Sequence, residues 1–158
     1  KVAAVEYEKY LTLYESSLAA PYAQLMWSHC QVKQRKVYTA IRDGFRSVID
    51  FWPDSHEAVL ASLLIGQSYK GVGELKNAER AYRRTVLDHP DHVGVGIGEA
   101  TAIIIRGKRF TVMGQNSVIV IDPRTAKLTQ PSKGKLQSAT SLRLHVLKAG
   151  QEFCFGAK

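Results

Sequence analysis

The feature that most constrains the fold is a pattern of helix-ending residues that recurs along the chain. Trp52-Pro53-Asp54 recurs as His89-Pro90-Asp91, and the aromatic residue Phe45 recurs as Tyr82, in each case thirty-seven residues later. A repeat of this length is typical of stacked helical hairpins. Single hairpins cannot bury their apolar faces alone, so they stack, and their open surfaces usually hold partners. The repeat therefore predicts a mainly α-helical array.

Five amphipathic helices are predicted in this array. Apolar residues recur at three- and four-residue spacing over residues 5–14, 21–32, 37–51, 56–70 and 74–88. Proline disfavours a helical residue before it, so Pro53 and Pro90 are expected to end the third and fifth helices. Ser55 is the expected N-cap of the fourth helix. Gly71-Val72-Gly73 separates the fourth and fifth helices, which predicts an antiparallel hairpin.

The hairpin formed by the fourth and fifth helices resembles a tetratricopeptide repeat. The signature positions, in matching order and spacing, hold Gly66, Tyr69, Ala78, Tyr82 and Pro90. The resemblance implies that the two small residues let the helices approach, while the two tyrosines fill the gap between neighbouring hairpins. An upstream copy with Phe45 and Pro53 departs from the signature, because His29 and Ile41 stand where it has glycine and a small residue. The resemblance covers residues 4–92 and implies an α-α superhelix.

In tetratricopeptide proteins the concave surface usually receives a peptide from a protein partner. The resemblance therefore implies a non-catalytic protein–protein interaction scaffold, or an assembly subunit of a larger complex. The side chains that it implies as partner contacts are Gln24, His29, Ser62 and Gln67.

The last third of the chain has a different pattern. Short runs of β-branched or alternating apolar residues at 110–113, 118–121, 142–147 and 152–155 are separated by turn residues. This pattern predicts a small β module over residues 108–158, after a helical domain over residues 1–107. The glycine-rich run over residues 93–98 either leads into a short helix over residues 99–105 or is itself the first strand of the module.

The β module carries nearly all of the net charge of +8. Residues 1–107 hold thirteen basic and twelve acidic side chains, whereas residues 108–158 hold nine basic and two acidic ones. A basic face of this kind can contact phosphate groups, so the alternative function is a nucleic-acid-associated protein, or one that binds an anionic surface. The predicted anion contacts are Lys108, Arg109, Arg124, Lys127, Lys133, Lys135, Arg143 and Lys148.

Signals for other function classes are weak. His89, Asp91 and His92 lack a third well-spaced ligand, so we predict no metal site. The glycine run has Glu99 where a dinucleotide motif needs glycine, so we predict no cofactor. No nucleophile or metalloprotease motif occurs, and we expect a protein that is not an enzyme. The longest apolar run, Ala102 to Ile105, is far too short for a membrane span. The cytoplasm and the bacterial cell envelope both stay open.

Overall fold

The computed structural model describes residues 1–129 and 138–156. The chain forms two compact units, Lys1–Thr85 and Val86–Lys158, which we call the helical unit and the β unit. We predicted a boundary between residues 107 and 108. The glycine-rich segment from Gly94 belongs to the β unit, so the division in the structure lies earlier in the chain. Independent folding of the two units stays a prediction.

The helices form over nearly the residues that the sequence indicates. They are α1 (Val2–Leu13), α2 (Ala20–Lys33), α3 (Val37–Thr39), a π-helical segment (Ala40–Phe45), α4 (Arg46–Phe51), α5 (His56–Gly71) and α6 (Leu75–Asp88). Ser55 caps α5, because its Oγ accepts a hydrogen bond from the backbone nitrogen of Ala58 at 3.1 Å. Helices α4 and α6 each end two residues before a proline, as expected from the steric effect of the proline ring.

Phe45 lies at the centre of the core of the helical unit and is fully buried. It packs in one cluster with Leu25 of α2, Ile41 of the π-helical segment, Val48 of α4 and Ala61 of α5. Three consecutive helical stretches therefore share a single apolar core. Burying a side chain of this size contributes about 2 kcal/mol.

The π-helical segment packs closely against α2. A Cβ atom on Gly44 would lie only 2.2 Å from Oγ of Ser28, so glycine is needed at this crossing. The wider π-helical turn changes which carbonyls are paired within the helix, and the oxygen of Asp43 accepts hydrogen bonds from Nε2 of Gln24 and Oγ of Ser47, both at 3.1 Å. The bond from Gln24 therefore joins α2 to the π-helical segment.

Helices α5 and α6 meet at a second close approach. A Cβ atom on Gly66 would lie 2.4 Å from Cε1 of Tyr82, and Ala78 is buried. A larger residue at position 66 would displace the tyrosine ring. Small residues at positions 66 and 78 therefore set the distance between these two helices.

The β unit contains eight strands among its described residues. They are β1 (Gly94–Ile97), β2 (Thr101–Arg106), β3 (Arg109–Gly114), β4 (Val118–Asp122), β5 (Lys127–Leu128), β6 (Ala139–Thr140), β7 (Arg143–Leu147) and β8 (Glu152–Cys154). They form antiparallel sheets with the orders β1-β4-β7, β2-β3-β8 and β5-β6. The glycine run is thus a strand, and residues 101–106 form a second strand and not a helix.

Both three-stranded sheets contribute to one core. Phe110 and Val112 from β3 pack with Val118 and Val120 from β4 and with Phe153 from β8. All but Phe153 are fully buried, and the rings of Phe110 and Phe153 are 5.6 Å apart between centroids. The inner faces of the two sheets therefore pack against each other, as in a small sandwich.

The predicted fold class, a mainly α tetratricopeptide-like superhelix followed by a small β-rich module, is wrong. In the described residues there are five continuous helical stretches, three of which share the core around Phe45, and eight strands follow from Gly94 onward. The recurring helix ends predict where helices stop and which neighbours form a hairpin. They do not determine whether successive hairpins stack into a superhelix. Membership of the tetratricopeptide family stays a prediction.

The prediction of no membrane span is confirmed for the part of the chain that the structure describes. No helix there combines enough length with enough apolar character to cross a bilayer.

Candidate functional site

A groove of about 520 Å³ opens on the helical unit between the end of α2 and α5. His29 lies half-buried at the groove, with its ring edge-on to Phe45 and 5.8 Å between the ring centroids. Burial and, to a smaller extent, the nearby charge of Lys33 lower the pKa of His29. The imidazole is therefore neutral at pH 7. Other lining residues are Val32, Lys33, Arg35, Val37, Leu64 and Gln67.

The structure divides the four residues that were predicted to contact a partner. His29 and Gln67 line the groove. Gln24 donates its hydrogen bond to the π-helical segment, and Ser62 is buried and donates to the carbonyl of Ala58 at 3.0 Å. The side chains of Gln24 and Ser62 thus bond to backbone within the helical unit. A contact with a partner stays a prediction for all four.

The predicted anion contacts among the described residues are distributed over all three sheets of the β unit and the turns beside them. Lys108 precedes β3 and Arg109 begins it, and Arg109 forms an ion pair with Glu152 at 3.4 Å. Arg143 begins β7 in the other sheet, and the side chains of Lys127 and Lys148 are exposed. Lys133 and Lys135 lie outside the described residues. Anion binding by these residues stays a prediction.

Arg124 has a structural partner. Its Nε and Nη2 atoms each lie 2.8 Å from a carboxylate oxygen of Asp122, and Nη1 donates to the carbonyl of Phe155. The Asp122 residue is only 3% exposed, and the hydrogen bonds from Arg124 lower the pKa of this carboxyl. The bidentate pair fixes the Arg124 side chain at the end of β4, and its bond to Phe155 joins this end to the segment that follows β8.

The residues His89, Asp91 and His92 form a polar turn after α6. Nδ1 of His92 lies 2.9 Å from Oδ1 of Asp91, and the two imidazole rings are 6.1 Å apart between centroids. Within residues 1–129 and 138–156, no group of three His, Cys, Asp or Glu side chains is placed to hold a metal ion.

The turn between β1 and β2 carries an exposed acid, Glu99, beside strained backbone. Ala100 has a φ of 52°, a left-handed conformation that costs a residue with a Cβ atom about 1 kcal/mol. Gly114 lies opposite with a φ of 118°, and a Cβ atom there would lie 2.3 Å from the carbonyl oxygen of Ala100. Only glycine therefore fits at position 114.

Hydrogen bonds from the turn at residues 114–117 hold this conformation. Asn116 donates from Nδ2 to the carbonyl of Glu99 at 2.7 Å and from its backbone nitrogen to Oγ1 of Thr101 at 2.9 Å. Gln115 donates to the carbonyl of Ala100 at 3.1 Å. We call residues 98–101 and 114–117 the acidic corner. Backbone strain that surrounding bonds maintain is frequent at functional sites.

The carboxylate of Glu99 differs from the other two acids of the strands. Asp122 is paired with Arg124, and Glu152 accepts hydrogen bonds from Arg109 and Thr111. Within the described residues, no hydrogen bond or ion pair engages the carboxylate of Glu99.

Glu99 is not among the site residues predicted from the sequence. Position 99 was noted there only because a nucleotide-binding motif needs glycine at that place. The signal that was present is an acid placed directly after Gly94-Val95-Gly96-Ile97-Gly98, where a strand ends in residues that permit tight backbone turns.

Comparison with known proteins identifies similar hydrolases. The chain is 39% identical over 72 residues to proteins named cyanophycinase from Trichormus variabilis and from a Nostoc species, which covers 43% of this chain and 24% of each relative. It is 30% identical over 96 residues to a cyanophycinase of Thermosynechococcus vestitus, which covers 58% of this chain and 29% of that relative. No protein-family model matches the chain.

The chain thus spans about a quarter of the length of the curated relatives that it matches. The longer alignment includes residues of both units, because 58% of the chain is more than either unit contains. A cyanophycinase is a hydrolytic enzyme. This similarity overturns the predictions of a non-enzyme, of a scaffold or assembly subunit, and of a nucleic-acid-associated protein as the alternative function.

Proposed function

We propose that this chain is part of a hydrolase of the cyanophycinase type, and that its β unit supplies the acidic corner to the hydrolytic site. The observation that carries the proposal is the identity of 30–39% to proteins named cyanophycinase. The substrate class is the polymer after which these relatives are named, cyanophycin, and the reaction is hydrolysis of its peptide bonds.

The role that we assign to Glu99 rests on its position. An ionised carboxylate can take a proton from an attacking group, or hold an imidazole that does so. Such a group has to be exposed, free of internal partners and fixed in orientation. Among the residues that the structure describes, Glu99 has the first two properties, and the bonds of Asn116 to Glu99 and Thr101 fix the backbone that carries it.

The proposal can be tested by complementation. The full chain is co-expressed with the Thermosynechococcus vestitus cyanophycinase from which the matched segment has been deleted, and hydrolysis of cyanophycin is measured as release of primary amines. We call this pair the complemented enzyme. We expect activity, and we expect Glu99→Gln to reduce it by about 100-fold or more, the usual effect of removing a proton-transfer group.

Glu152→Gln is the matched control, since Glu152 is also an exposed carboxylate of the β unit. This variant should leave the rate of the complemented enzyme unchanged. Circular dichroism of both variants establishes that the fold is kept. Equal activity of the complemented enzyme with either substitution would contradict a role for Glu99 in the site. A pair that folds but does not hydrolyse cyanophycin would contradict the proposed function.

A further inference from the structure

The β1-β4-β7 sheet is apolar on both of its faces. Along β4, Val118, Val120 and Asp122 point into the core and are buried, whereas the residues between them, Ile119 and Ile121, lie on the opposite face. Side chains alternate between the two faces of a strand. The alternation predicts polar residues on the outer face of a sheet that meets water, but β4 has isoleucine there.

The neighbouring strand continues this apolar surface. Ile119 is opposite Val146 in the register of β4 and β7, and Ile121 is opposite Leu144. Residues that face each other in this way share one side of a sheet. We call Ile119, Ile121, Leu144 and Val146 the outer aliphatic face.

Most of this face is exposed in the isolated chain. The exposed fractions are 43% for Ile119, 63% for Leu144 and 57% for Val146. Leaving apolar area in water is unfavourable by about 25 cal/mol per Å². An antiparallel sheet whose outer face meets solvent normally has polar side chains on that face, so the pattern of β4 and β7 is that of a layer covered on both sides.

One corner of the face is already covered. On β1, the residues opposite Ile121 and Ile119 are Gly94 and Gly96, so this strand presents flat backbone there. Val86, near the end of α6, lies over Gly94, and a Cβ atom on Gly94 would be 2.9 Å from Cγ2 of Val86. The sheet thus accepts a helical side chain at this corner.

The charge of the β unit argues against a second copy as the covering layer. Residues 86–158 carry ten basic and five acidic side chains, so two copies that meet at this sheet would repel each other. The relatives, by contrast, hold about three quarters of their length outside the segment that this chain matches. That remainder is large enough to supply another layer.

We propose that the outer aliphatic face is an internal packing surface of a cyanophycinase-type fold, and that the part of that fold outside the matched segment covers it. This inference rests on the proposed function. The covering layer presents apolar side chains to Ile119, Leu144 and Val146, as a helix or a sheet face does when it completes a layered domain.

Accessibility of a cysteine tests the inference. Val146→Cys is introduced into the full chain after Cys30 and Cys154 are replaced by alanine, and its labelling by a maleimide is followed in the chain alone and in the complemented enzyme. Labelling of the covered cysteine has to await local opening of the interface, so we expect it to be roughly 30-fold slower in the complemented enzyme. Lys148→Cys, at an exposed position after β7, is the control and should label equally in both.

The outcomes separate this inference from the proposed function. If the complemented enzyme hydrolyses cyanophycin while Val146→Cys is labelled as fast as in the chain alone, the proposed function is supported and the packing surface is contradicted. If a complex protects Val146→Cys from labelling but does not hydrolyse cyanophycin, the packing surface is supported and the proposed function is contradicted. Failure of the two chains to copurify overturns the packing surface, as does sedimentation of the chain alone as a dimer in which Val146→Cys is protected.

A second variant makes the inference testable in the chain alone. The double substitution Ile119→Lys and Val146→Lys should leave the melting temperature of the full chain within about 2 °C of its original value, since exposed sites away from structural contacts have small effects. In the complemented enzyme the same substitutions should abolish copurification. Loss of the fold in the chain alone would show that a segment of this chain already covers the face, and would overturn the proposal.

Discussion

The helical unit and the β unit are held together by different means. In the helical unit, glycine at positions 44 and 66 allows helices to pack within contact of Ser28 and Tyr82, and one aromatic residue, Phe45, fills the core. In the β unit, two small sheets share a core, and Arg124, which is paired with the buried Asp122, donates a hydrogen bond to the carbonyl of Phe155 after β8. Both units expose large apolar side chains, and in the β unit those of β4 and β7 lie side by side on one face of a sheet.

The comparison is in line with our proposal that the β unit is part of a larger fold. A unit with so few strands has a limited core, and it exposes on the outer aliphatic face the type of surface that usually lies inside a protein. The two units can be followed separately, because Trp27, Trp52 and all seven tyrosines lie in the helical unit. Intrinsic fluorescence therefore reports on the helical unit, and hydrogen exchange of peptides from residues 94–122 reports on the β unit.

The largest effect on stability is expected from Arg124→Met. This change leaves the Asp122 carboxylate buried without its partner, which costs about 3 kcal/mol. Hydrogen exchange in β4 and β8 should become faster, while the tryptophan unfolding curve stays unchanged. The exposed Arg106→Met is the control, and adding Asp122→Leu to Arg124→Met should recover much of the loss. If the free energy of unfolding from tryptophan fluorescence falls as much as the one from hydrogen exchange, the two units are not stabilised separately.

Gly66→Ala should have the next largest effect, and it should act on the helical unit. The added methyl group meets the ring of Tyr82, and overpacking of this kind costs about 2 kcal/mol. Urea unfolding followed by tryptophan fluorescence measures the change. Gly71→Ala is the matched control, because no atom lies within 4 Å of a Cβ atom there, and it should be slightly stabilising, by about 0.5 kcal/mol. Equal losses in both variants would mean that helix propensity, and not contact with Tyr82, determines the result.

Ser55→Ala tests the cap of α5. It removes the acceptor for the nitrogen of Ala58 and should destabilise the helical unit by about 1 kcal/mol. The same urea experiment measures it, with Ser16→Ala in an exposed turn as the control. No difference between Ser55→Ala and Ser16→Ala would show that the side-chain bond does not stabilise the helix.

Acid should weaken the β unit gradually through Asp122. The pKa of this carboxyl lies below its ordinary value of 3.8 because Arg124 donates hydrogen bonds to it. A carboxyl with a lowered pKa in the folded state adds stability above its unfolded pKa, and this stability is lost as the pH falls through the folded pKa. Exchange of β4 peptides should therefore accelerate below about pH 4. In Asp122→Asn this acceleration should be smaller, and an identical pH profile would assign it to other groups.

Local structure in this chain could be predicted well from the sequence. The spacing of apolar residues, the prolines that follow α4 and α6, and the cap at Ser55 predicted the helices. Short runs of β-branched or alternating apolar residues predicted β3, β4, β7 and β8. The run from Ala102 to Ile105 could not be assigned, since a short apolar run suits a buried helix and a strand equally. The π-helical segment was not predicted, and its close approach to Ser28 at Gly44 joins residues that are distant in sequence.

The candidate site could not be predicted from the sequence, because the features that single out Glu99 depend on tertiary placement. Glu99 is distinguished by the backbone conformation of Ala100 and by the bonds of Asn116, and neither follows from residue type. The basic residues gave a strong compositional signal. Composition cannot show that Arg124 is bound to Asp122 or that Arg109 is paired with Glu152.

The most direct test of the hydrolase assignment is the rate of cyanophycin hydrolysis by the complemented enzyme, measured for the original chain, Glu99→Gln and Glu152→Gln under identical conditions. We predict hydrolysis by the original pair, a rate lower by about 100-fold or more for Glu99→Gln, and an unchanged rate for Glu152→Gln. A folded complex without hydrolysis, or equal rates for the two variants, would contradict it.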